Sequence, residues 1–188
     1  SDGGKFLNSE IAVKEAFKMV DHGAQIIDFG GESTRPGSEP VSEEEELSRI
    51  LPVIEKMPKD QFILSLDTTK PAVAKVGLEN GIHIINDVSG GNKELLDLAD
   101  KHNAGFIVMH VQGTPKIMQD APKYENVVEE IHLFFEQKMK EISNLKLPRI
   151  WMDPGIGFGK SLEHNLELIR NLSSFKNDEW GILLGSSR

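Results

Sequence analysis

An incomplete α/β (β/α)8 barrel is the fold class that this sequence predicts, and three observations predict it. Short apolar runs alternate with longer amphipathic segments along the chain, the pattern of an α/β protein built on a buried parallel sheet. Nearly every apolar run ends in a burst of polar and glycine residues, from Asp28-Phe29-Gly30-Gly31-Glu32 to Gly185-Ser186-Ser187-Arg188. A doubly wound sheet collects such chemistry at one switch point, whereas a barrel gathers all strand C-termini at one mouth. There are about six strand–helix units against the eight strands of a closed barrel. Residues 1–188 therefore read as one partial domain, and such a portion is expected to expose apolar strand edges and to fold poorly alone.

The expected strands are 24–29, 62–66, 83–85, Gly105–Met109, 150–152 and 181–184. Each is short and rich in Ile, Val or Leu without polar alternation, as a strand covered on both faces is. Helices are expected over Ser9–Asp21, 42–56, 71–80, 92–102, 124–142 and 162–172. Ser42 ahead of Glu43, Glu44, Glu45 and Glu46 is a start signal, a capping hydroxyl followed by acids that suit the positive end of a helix. Pro71 suits a first turn. Gly23 and Gly81 stand just past periodic segments, as C′ glycines do, and Pro58 closes the helix before it. No low-complexity tract or linker divides the chain.

Composition narrows the partners. With 188 residues and 38% apolar content the chain can bury one sizeable core. No apolar run approaches the roughly 18–20 residues of a membrane span, and no leader pattern opens the sequence. The lack of cysteine excludes disulfides and thiolate metal sites and agrees with a reducing, cytoplasmic setting. The net charge is −9 with no local cluster of Lys and Arg, which argues against nucleic acid and membrane surfaces as partners. An anionic substrate would need specific donors, because the overall field repels it.

The strand-end motifs become specific when taken in order. Ser1-Asp2-Gly3-Gly4, the stretch 28–37 with Glu32-Ser33-Thr34-Arg35-Pro36-Gly37, and Leu66-Asp67-Thr68 are followed by Asn86-Asp87-Val88-Ser89-Gly90-Gly91 and Met109-His110. Asp153-Pro154-Gly155-Ile156-Gly157-Phe158-Gly159-Lys160 and Leu183-Leu184-Gly185-Ser186-Ser187-Arg188 complete the series. Together they resemble the successive loops and strand ends of the dihydropteroate synthases, over essentially the whole chain. The resemblance implies a transferase of folate biosynthesis and a sulfonamide target. Its reaction condenses 6-hydroxymethyl-7,8-dihydropterin diphosphate with 4-aminobenzoate, giving 7,8-dihydropteroate and diphosphate. It implies catalytic roles for Asp67, Asn86 and Asp153 in a pterin slot walled by Val88, Met109, Phe158 and Gly185. Thr34 then contacts the diphosphate, Arg35 and Pro36 close over 4-aminobenzoate, and Asp2 is an acidic first-loop residue of the same closed site. Mg²⁺ is implied as well, with its family ligand falling before residue 1, so that no metal ligand is expected within the chain. Further diphosphate ligands, a lysine and an Arg-x-His segment, are expected after Arg188. A homodimer of the full-length protein is also implied, as is departure of diphosphate ahead of amine attack.

Residue chemistry supports the resemblance independently. A pterin's aminopyrimidinone edge offers an N–H beside an exocyclic amine, and a carboxylate accepts from both at once. Asp153 is placed at a strand end for that role, although Asp before Pro154-Gly155 also suits a turn cap, and Asp67 and Asn86 carry the same alternative. Thr34 and Arg35 offer a hydroxyl and a fork of donors suited to diphosphate or carboxylate, or they belong to a solvated surface loop. Gly155 to Ser161 is not a nucleotide-binding P-loop, because the required first glycine falls on Pro154. Lys160 reads as a solvated loop residue and Glu43 to Glu46 as a solvated helix turn. Of the histidines, His110 reads as a hydrogen-bonded wall residue, and no pair has metal-ligand spacing. Two other functions stay open at this level. One is a methyltetrahydrofolate-dependent pterin-barrel methyltransferase, which has no need of the Thr34-Arg35-Pro36 loop; the other is a non-catalytic pterin-binding fragment.

Overall fold

The computed structural model describes residues 9–34, 38–113 and 122–185. Asp2, Arg35 and Pro36 lie outside the described residues. Six strands form one sheet in chain order: β1 (Ile26–Phe29), β2 (Ile63–Asp67), β3 (Ile84–Asp87), β4 (Gly105–Met109), β5 (Ile150–Asp153) and β6 (Gly181–Ile182). Every neighbouring pair is parallel. Between them run α1 (Ser9–Asp21), α2 (Glu43–Lys56), α3 (Pro71–Glu79), α4 (Lys93–Lys101), α5 (Val127–Glu141), α6 (Leu162–Arg170) and a 3-10 turn, Leu172–Phe175. The strand order never reverses. That excludes a doubly wound sheet, whose order must turn back at its switch point, and leaves the incomplete barrel.

The local signals act as their chemistry requires. Ser42 accepts from Glu45 N at 3.2 Å, and Ser161 and His164 form a reciprocal capping box on α6. Pro71 opens α3, while Gly23 and Gly81 take positive φ values of 102° and 93° past α1 and α3. The fifth helix starts at Val127 rather than 124 because Asn126 caps it, accepting from Glu129 N at 3.1 Å. Tyr124 is thereby released to donate its hydroxyl to Gly159 O at 2.9 Å. Glu46 departs from the expected solvated turn. It is 0% exposed and receives Lys70 Nζ at 2.6 Å.

The two faces of the sheet do different work. On the outer face Ile27, Leu64, Leu66, Ile85, Phe106, Val108 and Met152 join one continuous core with helix residues such as Ile50, Ile54, Leu95 and Ile131. Each such side chain contributes roughly 1.5–3 kcal/mol on burial. The inner face is separate: Ile84, Ile107 and Met109 are buried but belong to no part of that core. Period-two alternation thus sends apolar bulk outward to the helices and leaves the next residue of each strand facing the hollow.

One outward residue is polar and buried. Asp87 at the end of β3 takes Ser89 N at 2.8 Å and Ser89 Oγ at 2.6 Å on one oxygen, and Gly91 N at 3.0 Å and Asn92 N at 2.7 Å on the other. It folds the turn that leads into α4. Asp87→Ala removes a buried acceptor from four donors, one of them the buried Gly91 N–H, so chemical unfolding of the full-length protein should show a loss of about 3 kcal/mol. A loss below about 1 kcal/mol would mean that water replaces the carboxylate there.

Candidate active site

Parallel pairing sets the inner face in rows. Asp67 stands in register with Asn86, Asn86 with Ile107, Ile107 with Trp151, and Met109 with Asp153. The hollow in front of these rows is a cavity of about 370 Å³. Of the residues singled out in the sequence, Asp67, Asn86, Val88, Met109, Asp153, Phe158, Gly185 and Thr34 all line it. They come from the ends of all six strands or the segments just beyond them, and the fold brings them to one place. The site also includes Asp28, Ser65 and Trp151, to which sequence reading assigned no role. Period-two spacing from Asp67 points to Ser65, whereas Asp28 enters only through its register with Ser65.

The carboxylates of the slot are largely withdrawn from water. Asp67 Oδ1 is buried and accepts no hydrogen bond. Burial, reinforced by the charges of Asp28, Glu46 and Asp87, pushes the Asp67 carboxyl up to about 8. Asp28 opens toward the hollow rather than the outer surface, and burial among the strands also raises it, partly offset by the Ser65 and Asn86 side chains. Asn86 Nδ2 donates to Asp28 Oδ2 at 3.2 Å, which fixes the amide against β1. Across the slot, burial pushes Asp153 up to about 6, against the pull of Gly155 N–H and the Lys160 charge. Gly155 N donates to Asp153 Oδ1 at 2.7 Å, so Asp153 both caps its turn and lines the cavity. Gly155 has φ 68°, and a Cβ there would strike the His110 carbonyl. Glycine is what lets the turn close on β4. Gly185 leaves room at the other side, where a Cβ would stand 3.7 Å from Asp153 Oδ2.

The root of the Glu32 to Gly37 loop is tied down. Arg49 donates to Gly31 O at 2.7 Å, and Lys70 Nζ pairs with both Glu32 and Glu46. Burial works against the Lys70 charge, but the two glutamates outweigh it and raise its pKa. Thr34 is therefore presented at the cavity from an anchored stem. Lys160 was read as solvated and is instead 3% exposed, with Nζ 2.9 Å from Phe158 O and 3.0 Å from His110 Nδ1. The carbonyls of His110, just past β4, and Phe158, in the loop after β5, receive it. His110 is hydrogen-bonded but is not among the residues that line the cavity, and burial followed by the Lys160 charge holds its pKa down at about 3, so the ring is neutral.

Such a site suits a flat, donor-rich heterocycle: orphaned acceptors stand around a slot with apolar walls. The comparisons agree. The whole chain, residues 1–188, matches the pterin binding enzyme family. It is 42% identical over 192 residues to the dihydropteroate synthase of Escherichia coli strain K12, covering 100% of this chain and 68% of that protein. A crystal structure of Yersinia pestis dihydropteroate synthase with a sulfonamide drug complex superposes with TM-score 0.92 at 39% identity, covering 98% of this chain and 68% of that one. That of Burkholderia cenocepacia dihydropteroate synthase complexed with 7,8-dihydropteroate gives TM-score 0.86 at 36% identity, covering 96% and 68%.

Asp67 supplies a stability test with a definite sign. Its proton is held more tightly in the folded protein than in an unfolded chain, where it leaves near 3.8. The folded state therefore binds more protons between those two values, and stability falls as pH rises from about 4 to about 8. Asp67→Asn should remove that slope. The ligand-free variant is expected to be roughly 1–3 kcal/mol more stable than wild type at pH 8 by urea unfolding, and near equal at pH 4. Destabilisation at pH 8 would show that the Asp67 carboxylate has a partner in the folded protein.

Proposed function

The chain belongs to the pterin binding enzyme family, and on that premise we propose how its residues carry out the family's chemistry. The activity is that of a folate-biosynthesis transferase, joining a dihydropterin diphosphate to 4-aminobenzoate to give 7,8-dihydropteroate. The observation that carries the residue assignment is the set of desolvated acceptors around one slot, Asp67 Oδ1 without a partner and Asp153 facing it across the cavity. Asp153 takes the aminopyrimidinone N–H and exocyclic amine as a paired acceptor. Asp67 accepts a further ring N–H, and Asn86, steadied by Asp28, offers its amide beside it. Met109, Val88, Phe158 and the bare Gly185 form the walls against the ring faces.

The chemistry follows from those charges. The bond between the pterin methylene carbon and the diphosphate oxygen breaks, and its electron pair leaves with the diphosphate. The resulting cation is delocalised over the pterin, where Asp67 and Asp153 stabilise it electrostatically. The amine nitrogen of 4-aminobenzoate then forms the C–N bond and sheds a proton. No protein nucleophile takes part. Thr34 serves the diphosphate end from its anchored stem, and Arg35 with Pro36 and Asp2 completes the closed site over 4-aminobenzoate. Mg²⁺ belongs to this proposal as a charge on the departing diphosphate. Among the described residues no group of three or more His, Asp or Glu side chains is placed to hold it, and no step here runs through it.

The same reading places the protein in the cytoplasm. Among the described residues no helix is long and apolar enough to cross a membrane. It also takes the full-length protein to be a homodimer.

Asp153→Asn tests the pterin assignment directly. The amide has nearly the same shape but turns a donor, or a lone carbonyl, toward a ligand edge that only donates. Losing a charge-assisted bond of about 1.5–3 kcal/mol predicts roughly ten- to hundredfold weaker pterin binding by calorimetry. Turnover should fall further than affinity, since the lost charge also faces the developing cation. Unchanged affinity with a normal thermal melt would remove Asp153 from the site, and lost affinity with a collapsed melt would reduce it to a turn cap.

A further inference from the structure

Trp151 lines the cavity from β5, and the strands on either side of it are cut back to glycine where its ring lies. It stands in register with Ile107 on β4 and with Gly181 on β6. A Cβ at Gly181 would lie 2.6 Å from Trp151 Cδ1 and 3.0 Å from Nε1. A Cβ at Gly105, one inward position below Ile107 on β4, would lie 2.9 Å from Trp151 Cζ3. Carbons in good contact stand about 3.5–4.0 Å apart, so neither strand could carry a side chain there with the indole in place. The pyrrole edge of the ring therefore rests on β6 and its benzo edge on β4, leaning toward the strand N-termini. Ile84, paired with Gly105, borders the same gap. Large beside small is how the layers of a barrel fill, and here the large member spans three strands.

Resting on the reading of Asp153 as the pterin acceptor, we propose that Trp151 is a specificity-determining residue: its indole, seated between Gly105 and Gly181, is the floor of the slot and excludes ligands with bulk beyond the exocyclic amine. Asp153 follows Trp151 by two residues on the same face, about 6.6 Å nearer the mouth. The ligand edge that Asp153 holds is thus the edge next to the indole. Asp153 takes both donors of that edge, so an apolar ring is a fitting stop beneath it. The ring has no room to swing aside, because it already fills the space that the two glycines leave. An alkyl group on the exocyclic nitrogen keeps one N–H for Asp153 but must displace the indole. Selection of this kind is steric rejection at a rigid wall, and it adds no attraction for the correct ligand.

The test compares 6-hydroxymethylpterin with its N2-ethyl derivative by calorimetry on the full-length protein. Wild type should prefer the parent by roughly a hundredfold. Trp151→Leu keeps an apolar residue but shortens it, and should cut that preference by roughly tenfold, chiefly by binding the ethyl derivative more tightly. A preference that stays the same while both affinities move together would overturn the proposal and make Trp151 barrel filling alone. Equal binding of the two ligands by wild type would also overturn it. A second measurement does not depend on the variant folding. By NMR the Trp151 indole N–H of wild type should shift as 6-hydroxymethylpterin saturates the protein. The indole N–H of Trp180, in the outer core and bonded to Phe175 O at 3.1 Å, should stay in place. An unmoved Trp151 resonance would equally overturn the proposal. The underlying reading fails separately: Asp153→Asn binding the parent pterin normally would take Asp153 out of the slot, whatever the preference for the parent does.

Discussion

Period-two alternation in a parallel sheet whose strands never change order is the constraint on which this site rests. Residues that follow one another in a strand point to opposite faces. The helices claim one face, so Leu64, Leu66, Ile85, Val108 and Met152 are committed to the outer core. Their neighbours Ser65, Asp67, Asn86, Met109 and Asp153 have only the hollow to face. A slip of one residue in β1, β2 or β5 would turn a carboxylate into the outer core and an apolar side chain into the slot. The fold's stability and the placement of the acceptors are one requirement.

That requirement leaves acids where folding alone would not choose them. Asp28, Asp67 and Asp153 are all raised above the usual carboxylate range, in each case first by burial. Two lysines, Lys70 partly exposed and Lys160 buried, answer different needs. Lys70 binds Glu32 to Glu46 and so fixes the stem that carries Thr34. Lys160 fixes the Phe158 loop and shares its field with Asp153. Asp67 is left without either, and its free oxygen is the most direct sign that a donor-bearing ligand completes the structure.

Much of this was legible in the sequence because the signals were local. Apolar runs, Pro71, Ser42 and the C′ glycines act within a few residues of themselves, and the strand-end bursts named most of the cavity lining. Register is not local. Asp28 joined the site only through its pairing beside Ser65, and Trp151 through its place beside Ile107. Charge burial was equally hidden. Glu46 reads as one of four acids in an exposed first turn until Lys70 arrives from 24 residues away. Lys160 reads as a loop lysine until the ends of β4 and β5 converge on it. The length of the fifth helix was overstated because Tyr124 fits the helical pattern, while its hydroxyl is used at Gly159 in the loop after β5.

The central claim is that the slot holds carboxylic acids which become carboxylates when a pterin supplies its donors. Calorimetry of pterin binding at about pH 7, repeated in buffers of different ionisation enthalpy, measures it directly as protons exchanged. With Asp67 raised to about 8 in the empty protein, ligand donors that demand its charged form should release close to one proton per pterin bound. Asp67→Asn should abolish most of that release. Binding with no proton released, or with net uptake, would show that Asp67 stays protonated against the ligand and would contradict the account.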